Sequence, residues 1–322
     1  MKAVIVAQAG STPVYSDFKE PAPSSSESRI AVTAAALSPV VKARVSGAHY
    51  SAPGDFPFVA GIDGVGRLDD GSRVYFILPK APYGSMAERA VVPSSHCVPV
   101  PDGLDDITAA AIANPGFSSW AAFKERASLA PGETVLVNGA TGTSGRLAIQ
   151  IAKHLGAGKV IATGRNAATL QSLKAIGADE TVLLVDNTDA LDSAFKEHFA
   201  GGIDIVLDYL WGRSAERLLV AGAKAGKEGV PIRFVQLGNA SGANITLPAA
   251  ALRSAPIELM GSGLGSVPFN RIVGAVEELL QAAVKGGFEI ATQTVPLSEV
   301  EQAWPGDACF PRIVFTVGKI AR

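Results

Sequence analysis

The stretch that decides the fold is Val137-Asn138-Gly139-Ala140-Thr141-Gly142-Thr143-Ser144-Gly145. An apolar run typical of a buried strand precedes it, and apolar residues from Leu147 to Leu155 recur at helical spacing after it. A glycine-rich turn between strand and helix lets a pyrophosphate approach the backbone, and the helix N-terminus offers N–H groups and a positive dipole end. A purely structural glycine turn is the alternative. The context favours a dinucleotide site with Gly139, Thr141, Gly142, Thr143, Ser144 and Gly145 as candidate binding residues.

Beyond this turn, short apolar runs alternate with segments of helical periodicity as far as Met260. The predicted strands include Lys159-Val160-Ile161-Ala162, Ile203 to Leu207, Ile232 to Leu237 and Ile257 to Met260. Alternation of this kind is typical of the α/β class and predicts a Rossmann-type, doubly wound parallel sheet.

The two ends of the chain have a different character. The first ~110 residues carry short β-type runs separated by Pro and Gly, and β character returns after a long helix beyond Gly261. Asn114-Pro115-Gly116 predicts a break between two helices near the first transition. We therefore expect residues 119–261 to form a cofactor-binding domain inserted into a mostly β domain built from residues 1–118 and 262–322.

Composition limits the possible partners and locations. The net charge of −2 and the absence of a long basic run argue against nucleic-acid binding. No apolar run approaches the ~20 residues that span a bilayer, and the N-terminus has no secretory pattern, so we expect no membrane association. The only cysteines are Cys97 and Cys309, which fits a reducing cytoplasm.

The segment after the second strand indicates which dinucleotide is bound. An NAD site usually places Asp or Glu there to bond the ribose hydroxyls, but this chain has Gly164-Arg165-Asn166. A guanidinium can pair with the 2′-phosphate of NADP, which a carboxylate would repel. The sequence therefore favours NADPH, with these three residues as candidate contacts. The alternative is that Arg165 is a solvated charge at a strand end.

The chain resembles the medium-chain dehydrogenase/reductase superfamily, and within it the zinc-free quinone oxidoreductase-like branch. The resemblance rests on the glycine turn, on Gly61-Ile62-Asp63-Gly64-Val65-Gly66, on Tyr83-Gly84-Ser85-Met86-Ala87-Glu88, on Val206-Leu207-Asp208, and on the segment from Val295 to Trp304. It spans nearly the whole chain and is more specific for the superfamily than for any substrate.

The resemblance implies a GroES-like catalytic domain around the inserted Rossmann domain, with a cleft where nicotinamide meets substrate. It also implies a homodimer formed through an edge strand of the cofactor domain, here Ile257 to Met260. Further cofactor contacts that it implies follow the later strands, at Leu210, Gly238, Asn239, Gly261, Ser262 and Gly263.

Metal ligands of the zinc-dependent members are missing. Those members have a His where this chain has Ile62, a Cys near Lys42, and a four-cysteine lobe near residue 100. Catalytic zinc needs about three protein ligands, so we expect no metal. Without a Lewis acid, reduction of an already electrophilic acceptor is the feasible chemistry, since it needs hydride delivery, positioning and a proton.

Candidate catalytic residues are few. Quinone reductases of this branch often carry Asn, Asp and Tyr in the segment that corresponds to residues 38–44, and this chain has none of the three there. Lys42 and Arg44 alternate on a predicted strand, a pattern typical of solvated charges. Tyr50, next to His49, and Tyr209, which with Trp211 follows the fourth strand, are the tentative catalytic candidates. Packed or surface aromatics are the alternative for each.

These observations predict an NADPH-dependent, zinc-free oxidoreductase whose small-molecule substrate is a quinone or an α,β-unsaturated carbonyl compound. Two alternatives stay open at this point. One is a carbonyl or aldehyde reductase of the same fold. The other is a weakly catalytic NADPH-binding sensor or partner protein, which the missing Asn, Asp and Tyr residues would explain.

Overall fold

The structure is a computed structural model that describes residues 1–49, 51–185, 188–306 and 310–318. Two compact units divide the chain: unit 1 comprises Met1–Asn114 and Val276–Arg322, and unit 2 comprises Pro115–Ala275. Unit 1 therefore contains both ends of the chain. The domain boundaries expected at 118/119 and 261/262 stay a prediction.

Unit 2 contains a sheet of parallel strands, as the sequence predicts. Its strands in the described residues are β9 (Thr134–Asn138), β10 (Lys159–Gly164), β11 (Glu180–Leu183), β12 (Ile205–Asp208), β13 (Ile232–Gln236) and β14 (Ile257–Gly261). The order is β11-β10-β9-β12-β13-β14. The crossovers run in opposite directions from β9, so the chain reverses its winding between β9 and β12. This reversal is the doubly wound arrangement, and ligands bind at the carboxyl ends of the strands at such a point.

Helices connect these strands because their apolar residues recur on one face. They are α3 (Thr143–His154), α4 (Ala167–Ser172), α5 (Thr188–Gly201), α6 (Gly212–Ala225) and α7 (Ala249–Ser254), and a short 3₁₀ helix, Leu173–Ile176, follows α4. In α3, for example, Leu147, Ala148, Ile151 and Ala152 are buried at the i, i+1, i+4, i+5 spacing of one helical face.

Unit 1 is built from short strands, most of them antiparallel. Their bounds are β1 (Lys2–Val6), β2 (Val14–Asp17), β3 (Glu27–Ala36), β4 (Phe58–Val59), β5 (Asp63–Arg67), β6 (Arg73–Ile77), β7 (Arg89–Pro93), β8 (Cys97–Pro99), β15 (Thr292–Pro296) and β16 (Arg312–Thr316). In the described residues β2, β1 and β4 form one sheet, and the others form a second in the order β15-β16-β3-β5-β6-β8, with β7 also on β3. Strands from both chain ends thus share one sheet, consistent with the expected GroES-like unit around an inserted Rossmann unit.

The remaining helices are α1 (Pro39–Val45), α2 (Asp106–Ala121), α8 (Phe269–Gly286) and α9 (Val300–Ala303), with 3₁₀ turns at Ser94–His96 and Leu297–Glu299 and a π-helical turn at Ala122–Arg126. None of the helices in the described part of the chain combines the length and apolar character that a bilayer span requires.

Helix α2 corrects one expectation. The predicted break at Asn114-Pro115-Gly116 is wrong, because α2 continues through Pro115. Proline inside a helix costs about 3 kcal/mol through its missing N–H and its clash with the preceding turn. Residues Ala109 to Ala113 and Trp120 are buried, so packing of this apolar helix outweighs that cost.

Candidate functional site

The glycine-rich turn lies between β9 and α3 and is held in place by β10. The N–H of Gly139, a residue with φ of +87°, donates to Thr163 Oγ1 at 3.0 Å, and the N–H of Ala140 donates to the Thr163 carbonyl at 2.8 Å. Thr163 is fully buried. The backbone of the turn is therefore fixed by the neighbouring parallel strand rather than by its own residues alone.

Two glycines of this turn have different roles. A Cβ placed on Gly145 would come within 2.5 Å of Ala140 Cα and 2.6 Å of the Gly139 carbonyl oxygen, so glycine is required there for α3 to pack against the turn. A Cβ on Gly142, the N-cap of α3, would meet nothing within 4 Å. No side-chain hydrogen bond caps α3, and its first turn carries no acidic residue. The space beside Gly142 and the positive end of α3 together suit a phosphate group.

A buried polar network lies beneath the turn. The Nδ2 group of Asn138 donates to Asp208 Oδ1 at 2.8 Å and to Ser214 Oγ at 3.0 Å, and its Oδ1 accepts from Thr163 Oγ1 at 2.7 Å. Asp208 also accepts from the N–H groups of Leu210 and Trp211 at 3.0–3.2 Å. Burial raises the pKa of the Asp208 carboxyl, while the bonds from Asn138 and the backbone oppose that rise.

This network joins the β9–α3 turn to the β12–α6 turn. The sequence analysis did not identify this network as a functional feature. Its signal in the sequence is that Asn138 and Asp208 are each a polar residue at the end of an apolar strand. The parallel register places Asp208 directly opposite Asn138.

The segment that follows β10 places Arg165 at the surface. Gly164 ends the strand, Arg165 is exposed, and Asn166 caps α4 by accepting a hydrogen bond from the Thr169 N–H at 2.9 Å. Within the described ranges the guanidinium of Arg165 forms no hydrogen bond or ion pair. An unpaired cation at this strand end is free to bind an anionic group.

The remaining candidate cofactor residues follow the carboxyl ends of β12, β13 and β14. The Leu210 side chain packs where a Cβ on Gly139 would be, at 2.8 Å, and Gly238 packs against the Tyr209 carbonyl oxygen. Asn239 is exposed, and glycines 261 and 263 are exposed on either side of Ser262. All the candidate cofactor residues thus lie at one edge of the parallel sheet; their contact with a cofactor stays a prediction.

Of the two candidate catalytic tyrosines, only Tyr209 is among the described residues. Tyr50 lies outside the described residues. The hydroxyl of Tyr209 is buried and, in the described chain, forms no hydrogen bond; the hydroxyls of Ser118 and Ser119 nearby donate to backbone carbonyls. Burial raises the pKa of Tyr209. This hydroxyl would have to become accessible to donate a proton to a substrate, so its proposed catalytic role gains no support from its position.

The segment of residues 38–45 is a helix, which corrects the predicted strand. Ser38 caps α1 by accepting from the Val41 N–H, and Pro39 occupies the first helical position. Lys42 is not a free surface charge, because its Nζ donates to the Gly306 carbonyl at 2.5 Å. Arg44 is half-buried, and burial lowers the pKa of its guanidinium.

Unit 1 also contains a buried carboxyl group. Asp63 accepts a hydrogen bond from the Tyr75 hydroxyl at 3.1 Å and one from Asn114 Nδ2 at 3.3 Å. Burial raises the pKa of Asp63 to about 6, although the charge of the buried Arg312 and these two bonds oppose the rise.

No group of three or more His, Cys, Asp or Glu side chains that could hold a metal ion occurs among the residues that the structure describes. Burial raises the pKa of the free Cys97 thiol to about 11; Cys309 lies outside the described residues.

Comparison with known proteins places the chain in a family. The family model described as "Zinc-binding dehydrogenase" matches residues 145–283. The chain is 31% identical to the probable NADPH-dependent quinone reductase tdiC of Emericella nidulans, over 91% of this chain and 92% of that protein. It belongs to the quinone oxidoreductase-like branch of the medium-chain dehydrogenase/reductase superfamily.

Solved structures agree with this family. The quinone oxidoreductase of Thermus thermophilus, solved also in complex with NADPH, is 26% identical with a TM-score of 0.79 and covers 98% of this chain and 100% of its own. A structure described as an NAD-dependent alcohol dehydrogenase is also 26% identical, with a TM-score of 0.83, over 99% of this chain and 100% of its own. Members of the superfamily with this fold thus differ in cofactor and substrate, and the residues of this chain must distinguish between them.

Proposed function

We propose that this protein is an NADPH-dependent oxidoreductase that transfers a hydride to a quinone or to an α,β-unsaturated carbonyl compound. The observation that carries the proposal is Arg165, exposed and unpaired within the described residues, in place of the acidic residue that bonds the ribose hydroxyls in NAD sites. The quinone part follows from family membership and from the name of the Emericella nidulans relative. We add the enone as a second class of acceptor on chemical grounds, because both acceptors have an electron-poor carbon conjugated to a carbonyl.

The residues of unit 2 fit the proposed cofactor. The turn from Gly139 to Gly145 would hold the pyrophosphate, since the space at Gly142 is open and the N-terminus of α3 faces it without a side-chain cap. Arg165 would pair with the 2′-phosphate, which is the group that distinguishes NADPH from NADH. Leu210, Asn239 and residues 261–263 would line the edge toward the nicotinamide.

When bound, NADPH would supply the hydride, and the reduction is completed by one proton. Tyr209 is a poor proton donor because its hydroxyl is buried and its pKa is raised. We therefore assign the proton to solvent. The contribution of the chain is to bind and orient the reactants, which can supply several kcal/mol of the barrier reduction without an acid–base residue.

The test is a turnover assay on the full-length protein. We expect loss of NADPH absorbance with 1,4-benzoquinone and with an enone such as 3-penten-2-one, and reduction of the C=C bond in the enone product. Reduction of C=O would favour the carbonyl reductase instead. Tight NADPH binding without turnover on any acceptor would refute the enzyme and favour an NADPH-binding sensor.

We further propose a homodimer formed through β14. This strand is at the edge of the parallel sheet, and its Leu259 side chain is 38% exposed, a combination that leaves backbone groups and an apolar side chain available to a second copy. Leu259→Lys should shift the species seen by light scattering from dimer to monomer. Leu252→Lys on α7, where Leu252 is 47% exposed, is the matched control. A monomeric wild-type protein would contradict the proposal.

A cytoplasmic location also belongs to this proposal. It is supported by the presence of only two cysteines in the whole sequence.

A further inference from the structure

A cavity of about 220 Å³ lies at the edge of the parallel sheet opposite to the cofactor edge. Thr134, Asp204 and Ile232 border it, at or directly before the amino ends of β9, β12 and β13. All of its lining residues belong to unit 2. At about 30 Å³ for each water, the cavity has room for about seven waters or for one small organic molecule. We call it the Lys227 pocket, after the cation among its lining residues.

The inner wall of the Lys227 pocket is apolar. Phe199, Ile203 and Ile232 line it and are 1%, 3% and 3% exposed, whereas Val230 is 39% exposed. The three buried side chains therefore form the inner wall, and Val230 belongs to the rim. A ligand with a small apolar group would displace water from this wall, which favours its binding.

The cation of this pocket lies across a glycine. A Cβ on Gly202 would come within 2.9 Å of Lys227 Nζ, so the absence of a side chain at Gly202 gives the ammonium group its place in the pocket. Lys227 is exposed, and within the described ranges its side chain forms no hydrogen bond or ion pair. Its three N–H donors are thus available to an anionic ligand. A lysine that is simply solvated is the alternative.

The opposite charge in the pocket is the carboxylate of Asp204. Its Oδ2 accepts from the Thr134 N–H at 2.8 Å, and in the described part of the chain its Oδ1 accepts no hydrogen bond. Gly202 and Asp204 are two residues apart, so their Cα atoms are separated by at most about 7 Å. Lys227 and Asp204 nevertheless form no ion pair with each other. One cavity therefore contains two opposite charges that do not neutralise each other directly.

Two helices end at this cavity. The last residue of α5 is Gly201 and that of α6 is Ala225, and the pocket is lined by Gly201 and by Gly226, the C-cap of α6. The last carbonyl groups of a helix lack partners within the helix and carry partial negative charge. A positive group of a ligand is therefore favoured next to Asp204, in addition to the lysine of the pocket.

We propose that the Lys227 pocket binds a free amino acid with a branched aliphatic side chain. The carboxylate of the ligand would accept hydrogen bonds from Lys227, and its ammonium group would donate to Asp204. The aliphatic group would lie on Phe199, Ile203 and Ile232. A ligand with one charge would satisfy only one of the two protein groups, and an amino acid within a peptide chain lacks the pair of charges. This inference goes beyond the proposed function and does not depend on it.

The first test compares ligands that differ by one feature. Isothermal titration of the full-length protein uses L-leucine, 4-methylpentanoate without the ammonium group, 3-methylbutylamine without the carboxylate, and glycine without the aliphatic group. We expect L-leucine to bind about fivefold more tightly than each of the others, or better still, because charged contacts near solvent are partly screened but each adds to the affinity. Equal affinity for L-leucine and any one of the other three would overturn the inference.

The second test locates the binding site with two variants. Lys227→Gln should lower the affinity for L-leucine about fivefold or more without weakening the binding of 3-methylbutylamine, which has no carboxylate. Asp204→Asn keeps an acceptor for the Thr134 N–H. It should weaken L-leucine binding similarly, without weakening that of 4-methylpentanoate.

Lys174→Gln is the matched control, because Lys174 is exposed in unit 2 and its removal changes the net charge equally. Its affinity for L-leucine should equal that of the wild type. Thermal unfolding without ligand checks that each variant folds. If Asp204→Asn does not fold, Lys227→Gln decides, since the exposed Lys227 side chain forms no bond within the described residues. Unchanged L-leucine affinity in Lys227→Gln, or the same loss in Lys174→Gln, would overturn the inference.

Discussion

Replacement of Gly142 by valine separates cofactor binding from stability, because the structure predicts a large effect on the first and a small effect on the second. Gly142 has φ of −78° and ψ of 169°, an extended conformation that valine adopts readily, and its Cβ would meet nothing within 4 Å. Valine also restricts the unfolded chain. At the N-cap of α3, however, valine is less favourable than glycine. Because the two effects oppose each other, we expect Gly142→Val to change the free energy of unfolding of the cofactor-free protein by less than about 1 kcal/mol.

NADPH affinity, by contrast, should fall strongly. The added methyl groups would occupy the space through which a pyrophosphate approaches the N-terminus of α3. Loss of one charge-assisted hydrogen bond from the backbone costs about 2–3 kcal/mol, which raises the Kd for NADPH about 30-fold to about 150-fold. The stabilisation of the protein by a fixed NADPH concentration should shrink accordingly.

Two measurements are needed: NADPH titration by calorimetry, and thermal unfolding with and without NADPH. Gly145→Ala is the control, because its Cβ would come within 2.5 Å of Ala140 Cα. It should cost about 1–3 kcal/mol and lower the Tm by about 2–4 °C per kcal/mol without NADPH. An unchanged NADPH Kd in Gly142→Val would refute the assignment of the turn to the pyrophosphate. A cofactor-free Tm lowered as much in Gly142→Val as in Gly145→Ala would show that the space beside Gly142 is not open.

Three further predictions concern charge and the buried networks. Arg165→Glu should lower the NADPH-to-NADH ratio of kcat/KM at least tenfold. The control is Lys174→Glu, which makes another exposed cation of unit 2 acidic and should leave the ratio unchanged. Equal ratios in both variants would contradict the role of Arg165. Asn138→Ala should lower the free energy of unfolding by about 3–4 kcal/mol in denaturant titrations, since it removes three hydrogen bonds, one of them to the Asp208 carboxylate; a loss below about 1 kcal/mol would contradict the network. The pKa of Asp63 is raised to about 6 from 3.8, so the folded state binds its proton more tightly, and its contribution to stability falls by about 3 kcal/mol as the pH rises from about 4 to about 6. Asp63→Asn should remove this dependence of the free energy of unfolding on pH. An unchanged dependence would mean that other groups cause it.

The parallel sheet could be predicted from sequence because each of its elements carries a local signal. Apolar runs such as that from Thr134 to Val137 are typical of strands buried on both faces, and helical periodicity separates them. Short connections and right-handed crossovers then leave few arrangements. The position of the glycine turn at the carboxyl edge follows from the same rule, so most candidate cofactor residues could be found without a structure.

The helix α1 could not be identified by apolar pattern alone. Its seven residues contain Val40, Val41 and Val45, and β-branched residues in so short a run favour a strand. The signals that indicate a helix lie at its start, where Ser38 caps it and Pro39 fills the first position. The difference changes the surroundings of Arg44, because on a strand it would alternate with its neighbours, whereas on a helix it lies beside the buried valines.

The sequence shows the polar residues of the network beneath the glycine turn but does not show that they lie close together. Asn138 and Asp208 are 70 residues apart, and each looks like an ordinary polar end to an apolar strand. Only the strand order β10-β9-β12 brings them together, since the register pairs Asp208 with Asn138 and places Thr163 next to the turn. Because Asp208 also accepts from the N–H groups of Leu210 and Trp211, one buried carboxylate sets the geometry of two turns at the cofactor edge. A change in its charge would therefore alter both turns together, which makes this carboxylate a positioning group for the proposed site: it holds the backbone of Leu210 and is not itself one of the proposed cofactor contacts.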